Sequence, residues 1–263
     1  MSSRAQIIAT IGPASGDSAL IETMIRAGMD VARINFSHGT HETNGAYIAA
    51  IRTASKRAGR RVPIVLDLAG PRLQRGAAHT FDAGSEIITE TDLDNLGFGI
   101  AQDVEYIAQS FVGTAKDVRT MRAHIEEKGA HIPIIAKIER DQAVVNIDSI
   151  IAISDAVMVG RGDLGLSVPL EDIPFVERDI ISKAKTAKKP VIIATQMLYT
   201  MKDNPVPTRA EVTDVEYAIM LGSDAVMLSE ETAIGHYPLE AVTEMEKMIS
   251  RVERDQSLVL NTL

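Results

Sequence analysis

Eight short apolar runs, alternating with stretches of helical spacing, recur along the 263-residue chain, and few folds can bury such a series. The runs fall at residues 7–9, 31–36, 63–67, 106–109, 133–138, 156–159, 191–194 and 225–228. Between them, Leu20, Ile21, Met24 and Ile25 give residues 18–27 the stripe of an amphipathic helix. Residues 41–58 read as a long helix closed by Gly59, and Val118, Met121, Arg122 and Ile125 mark another. Further helices are expected at 173–188, at 208–221 with Gly222 as the stop signal, and at 238–253. After the third strand the pattern weakens, with β-like pieces at Thr80-Phe81 and at 86–89, then a helix over 91–98 with Thr91 as its cap. The stretch between the fifth and sixth strands receives no assignment. Strand–helix alternation of this count and length predicts a single (β/α)8 TIM barrel over residues 1–263, without repeats or an inter-domain linker.

Composition narrows the functions open to such a barrel. Hydrophobic residues make up 45% of the chain, ample for a large core. A net charge of −9 argues against nucleic-acid partners, which favour basic surfaces. With no cysteine there is no disulfide or thiolate chemistry. The N-terminus lacks a signal-peptide pattern, and no apolar run reaches the ~18 residues of a membrane span. A soluble, cytoplasmic protein without membrane partners is the expectation.

Polar residues gather where a barrel needs them. Arg33, Asn35 and Ser37 end the second strand, and Asp67 ends the third. Gln109 and Ser110 close the fourth, Lys137 and Glu139 the fifth, while Asp163 follows the sixth. Thr195 and Ser229 end the seventh and eighth. In this fold the C-terminal strand ends form the active-site mouth. Lys137 with Glu139 alone could be an ordinary ion pair, but polar groups at seven strand ends are poorly explained by coincidence. Glu139 and Asp163, with an ammonium beside them, suit Mg²⁺ or Mn²⁺, which take carboxylate oxygens and leave room for substrate.

Longer motifs then carry a resemblance. Ala9-Thr-Ile-Gly-Pro-Ala-Ser15, Gly28-Met-Asp-Val-Ala-Arg-Ile-Asn-Phe-Ser-His-Gly39, Lys137-Ile-Glu139 and Met158-Val-Gly-Arg-Gly-Asp-Leu-Gly165 resemble the pyruvate kinase family. So do Ala194-Thr-Gln-Met-Leu198, Pro207-Thr-Arg-Ala-Glu211 and Met227-Leu-Ser-Glu-Glu-Thr-Ala233. The resemblance implies Glu139 and Asp163 as divalent-metal ligands, and Lys137 as the group steadying the transferring phosphoryl and the enolate. Arg33 would contact phosphate. Thr195, with the N–H groups of Gly162 and Asp163, would cradle the substrate carboxylate. Asn35, Ser37 and Asp67 match the monovalent-cation ligands. The implied reaction is phosphoryl transfer between phosphoenolpyruvate and ADP through an enolate.

Departures limit what carries over. Only a short loop follows the third strand, where the family inserts a β-rich lid domain, and the family's C-terminal allosteric domain has no counterpart in this sequence. Gln74 stands where an arginine usually meets nucleotide phosphates, and a neutral amide cannot replace a guanidinium. Nucleotide binding is therefore not assigned, and transfer is expected to be inefficient. Arg72 occupies the position of a glutamate in K⁺-requiring members, which implies no need for K⁺. Two alternatives stand beside the kinase: another reaction on pyruvate-like 2-oxo acids, such as oxaloacetate decarboxylation or aldol cleavage, and a non-catalytic phosphoenolpyruvate-binding protein. The 205–211 segment lies near the subunit contact in the family, so a homo-oligomer is expected. The six histidines show no metal-ligand spacing, and the eleven methionines read as core filler.

Overall fold

In the computed structural model, which describes residues 3–75, 78–81 and 86–255 (73–75 and 78–81 by backbone alone), the chain opens with β1 (Gln6–Thr10) and α1 (Ser18–Ala27). There follow β2 (Met29–Asn35), α2 (His41–Ala58), β3 (Ile64–Asp67) and an antiparallel hairpin of β4 (Arg72–Arg75) and β5 (Ala78–Phe81). Next come α3 (Glu90–Ala101), β6 (Tyr106–Gln109), α4 (Ala115–Glu127), β7 (Ile134–Ile138), α5 (Asp141–Val145) and α6 (Ile147–Ile153). The second half holds β8 (Ala156–Gly160), α7 (Arg161–Leu164), α8 (Ile173–Thr186), β9 (Val191–Ala194) and α9 (Arg209–Met220). It continues through β10 (Ala225–Leu228), α10 (Glu230–Ala233) and α11 (Pro238–Arg254). Eight parallel strands close in the order β1-β10-β9-β8-β7-β6-β3-β2, the expected (β/α)8 barrel.

Two hydrophobic layers follow from the two-residue strand period. Outward-facing residues such as Ile7, Ile64, Leu66, Ile107 and Ile193 pack under the helices. Inward-facing ones, including Ile8, Val31, Val65, Ile135, Met158 and Met227, plug the barrel. Each fully buried Ile or Leu of the outer layer contributes roughly 1.5–3 kcal/mol, so that layer rather than the polar mouth holds the fold together. Many of the methionines sit in these layers, among them Met24, Met29, Met197, Met201 and Met245, all fully buried.

Helix ends follow local chemistry. Gly59 closes α2 in the left-handed conformation, φ 67°, and Thr208 caps α9 through the Glu211 amide. Two expectations need correction. Residues 86–89 form no strand: Thr89 accepts from the Asp92 amide while the Asp92 carboxylate takes the Thr89 amide. This reciprocal pair starts α3 two residues before a Thr91-capped helix would begin, and the helix runs on to Ala101. The unassigned stretch between β7 and β8 holds α5 and α6, two helices too short to show periodicity across their junction at Asn146. Directly after β8 the chain makes one helical turn, α7, which carries Asp163. The expectation for the Gln74 side chain lies outside the described residues. No helix among the described residues is long and apolar enough to cross a membrane.

Candidate active site

One strand step above the apolar plug, the inward positions become polar. On β2, Arg33 follows Val31 on the inner face; on β3, Asp67 follows Val65; on β7, Lys137 follows Ile135. Ser110, two residues past Ala108, joins them from the end of β6. Asp67 is the hub, since Arg33 Nε reaches its Oδ2 at 2.7 Å and Lys137 Nζ its Oδ1 at 2.9 Å. Lys137 also reaches Glu139 Oε1 at 2.9 Å and donates to Ser110 Oγ at 2.6 Å. Both side chains of the Lys137–Glu139 pair are nearly out of water, 6% and 3% exposed.

Burial and pairing pull the protonation states in opposite directions, and pairing wins. Desolvation favours a protonated Asp67, yet Arg33 and then Lys137 hold its carboxyl below the ordinary range. Desolvation favours a neutral Lys137, but Asp67 and Glu139 push the amine above its ordinary value. Arg33 and Arg72 oppose that rise, which shows that Arg72 shares the electrostatic neighbourhood of Lys137. The result is an amine whose charged form is favoured by its carboxylate partners at the mouth.

Asp163, in α7, accepts from Arg72 Nη2 at 2.9 Å. The Arg72 guanidinium lies 5.5 Å from the centre of the Phe111 ring. Phe111, at φ 53°, turns its N–H onto Glu139 Oε2 at 2.9 Å. Gly160 is tied to that carboxylate by space, because a Cβ there would come 2.8 Å from Glu139 Cγ. Across β8 and β9, Gly162 N–H donates to Thr195 Oγ1 at 2.8 Å, and that hydroxyl donates to the Ala194 carbonyl at 2.6 Å. Two oxygen-donor carboxylates on adjacent strand ends fit a hard divalent cation. Among the described residues no three His, Cys, Asp or Glu side chains gather at one point, so substrate oxygens would have to complete the shell. The cationic partners Lys137 and Arg72 hold those carboxylates meanwhile.

Not every expected residue lies in the mouth. Gln109 turns outward and donates to the Asp117 carbonyl, because it falls on the other face of the strand from Ser110. Asn35 Oδ1 accepts from the Ser37 amide, so these two shape the end of β2 locally. Conversely, Thr10 belongs to the site without having been singled out. It accepts from Arg33 Nη1 at 2.9 Å and donates to the Leu228 carbonyl, fixing the guanidinium from the neighbouring strand β1, where Thr10 is the register partner of Arg33. Its position two residues past Ile8 on β1 was the available signal.

Comparison with known proteins agrees with this layout. A family model described as pyruvate kinase, barrel domain, matches residues 2–87 and 81–242. The pyruvate kinase of Geobacillus stearothermophilus is 38% identical over 338 aligned positions, covering 97% of this chain and 58% of that protein. Those of Bacillus licheniformis and Thermococcus litoralis are each 36% identical, covering 95% and 96% of this chain and 57% and 70% of their own lengths. The chain thus spans a little over half the length of the first two relatives.

Proposed function

Since the chain belongs to the pyruvate kinase family, we propose that it transfers a phosphoryl group between phosphoenolpyruvate and a nucleoside diphosphate such as ADP. The observation that carries this reading is the buried Asp67–Lys137–Glu139 chain, with the Arg72–Asp163 pair beside it, at the barrel mouth. In the forward direction an oxygen of the nucleotide's terminal phosphate attacks phosphorus, and the bond to the enol oxygen breaks with its electron pair passing to the enolate. Protonation at the methylene carbon then yields pyruvate. Lys137 places fixed positive charge where negative charge moves from phosphoryl to enolate oxygen. Arg33, clamped by Asp67 and Thr10, would receive phosphoryl oxygens. Thr195 and the N–H groups of Gly162 and Asp163 would take the substrate carboxylate. The Gly162 N–H and the Thr195 hydroxyl, bonded to Thr195 Oγ1 and to the Ala194 carbonyl, would exchange those bonds for the carboxylate. Glu139 and Asp163 would hold Mg²⁺ or Mn²⁺, which when bound polarises the oxygens of a 2-oxo acid as a Lewis acid.

Among the described residues, the link from Asp67 to α3 holds one short hairpin, where a larger lid would close over the reaction. Turnover is accordingly proposed to be slow rather than absent. The relatives compared are pyruvate kinases, which lends no support to the decarboxylase or pure binding alternatives. The test is pyruvate formation from phosphoenolpyruvate and ADP with Mg²⁺ or Mn²⁺. Metal-dependent pyruvate release is expected, and no release above the background of a Lys137→Met variant would defeat the proposal.

A further inference from the structure

Beside the mouth, three side chains from three elements meet behind one strained piece of backbone, and one of them touches it. Thr195 and Gln196 both lie at positive φ, 69° and 57°. Non-glycine residues seldom adopt that conformation, and a β-branched threonine least of all, so the surroundings must enforce it. Arg161 does so, since its Nη2 donates to the Thr195 carbonyl at 3.0 Å and to Met197 Sδ. The guanidinium is itself gripped from behind. Asp214 of α9 takes both of its terminal nitrogens, at 2.6 and 2.7 Å, and Glu177 of α8 accepts at 3.3 Å. Arg161 is only 10% exposed and Glu177 2%. Glu177 Oε1 has no hydrogen-bond partner, so this carboxylate is kept buried half-satisfied for the sake of its contact with Arg161.

The same guanidinium governs both sides of the carboxylate cradle. Gly162 follows Arg161 directly in the chain, and its N–H meets Thr195 Oγ1 at 2.8 Å. Moving Arg161 would therefore shift the N–H side and the hydroxyl side together. We infer that Arg161, locked by Asp214 and Glu177, is the positioning residue of the Thr195–Gly162 cradle and sets its affinity for a planar carboxylate without touching the ligand. This rests on the reading of the mouth as a 2-oxo acid site, and the test separates the two.

Oxalate, a planar dianion with the geometry of an enolate beside a carboxylate, serves as probe. Its Mn²⁺-dependent binding is measured by calorimetry on the full chain, together with amide hydrogen exchange of the 195–197 segment. Asp214→Asn and Arg161→Lys are expected to weaken oxalate about tenfold, the scale of a small misplacement of binding groups. Both should speed exchange at 195–197 while β8, β9 and Mn²⁺ affinity stay as in the parent. Asp214→Glu, which keeps the charge, should recover much of the oxalate affinity lost in Asp214→Asn. A lower melting temperature with unchanged oxalate affinity and unchanged exchange would overturn the inference and leave the triad a purely structural role. Should the parent chain fail to bind oxalate, the reading of the mouth falls, and exchange alone decides the clamp: faster at 195–197 upholds it, unchanged overturns it.

Discussion

Asp67 neutralises two buried cations at once, which makes it the residue whose loss should be felt most in both folding and chemistry. Replacing Asp67 by Asn leaves Arg33 and Lys137 in the barrel without their shared counter-charge. Breaking a buried pair by removing one partner costs about 3–5 kcal/mol, and that drop is expected in urea unfolding. Lys137→Met behaves differently, for it removes the charge proposed to meet the enolate while Asp67 keeps Arg33. Turnover is expected to fall roughly 10²–10³-fold, the effect of deleting one preorganised charge-stabilising group, with Mn²⁺ affinity within about threefold of the parent. Equal losses of both would assign Lys137 to metal binding instead. Lys137, Glu139, Arg33 and Asp67 were legible in the sequence because a two-residue period carries them inward from an apolar plug. The Arg161 clamp was not legible, since its partners Glu177, Thr195 and Asp214 come from separate elements and meet only through tertiary packing.

Elements were predictable to the extent that their signals were local. The eight strands and the long helices announce themselves by length and spacing, whereas α3 was misplaced because Thr91 and Thr89 are both plausible caps. The Thr89–Asp92 box decides between them, and Thr91 is exposed. Thr89→Ala should therefore cost about 1 kcal/mol of stability while Thr91→Ala stays near zero, as chemical denaturation would report. Glu105 shows how a loop residue joins elements. It accepts from Arg52 of α2 and from the Ile64 amide opening β3, and although burial favours its neutral form, these partners hold its carboxyl below the ordinary range. A depressed carboxylate contributes stability that is complete above the unfolded-state value near 4.3 and is lost as pH falls through the lower folded value. Parent and Glu105→Gln should thus differ most at about pH 6 and converge toward about pH 3 in thermal melts. A gap that widened on acidification would place the stabilising contact elsewhere.

At the scale of the whole barrel, the mouth closes its own charge account. Asp67, Glu139 and Asp163 supply three carboxylates, and Arg33, Lys137 and Arg72 supply three cations in contact with them. A further monovalent cation beside Asp67 would enter a region already neutralised, next to two groups that repel it. Arg72 is the member that makes the balance, and it arrives on the hairpin that links Asp67 to α3 rather than on a barrel strand. Replacing K⁺ by tetramethylammonium at constant ionic strength is therefore expected to change phosphoryl transfer by less than about twofold, since Asp67, Glu139 and Asp163 each already pair with a protein cation. Arg72→Glu reverses the sign at that position and leaves Asp163 without its partner. That variant should lose activity in tetramethylammonium and recover part of it in K⁺. If the unsubstituted chain already depended on K⁺, Arg72 would not be the internal cation, and Asn35, Ser37 and Asp67 would regain their place as its ligands.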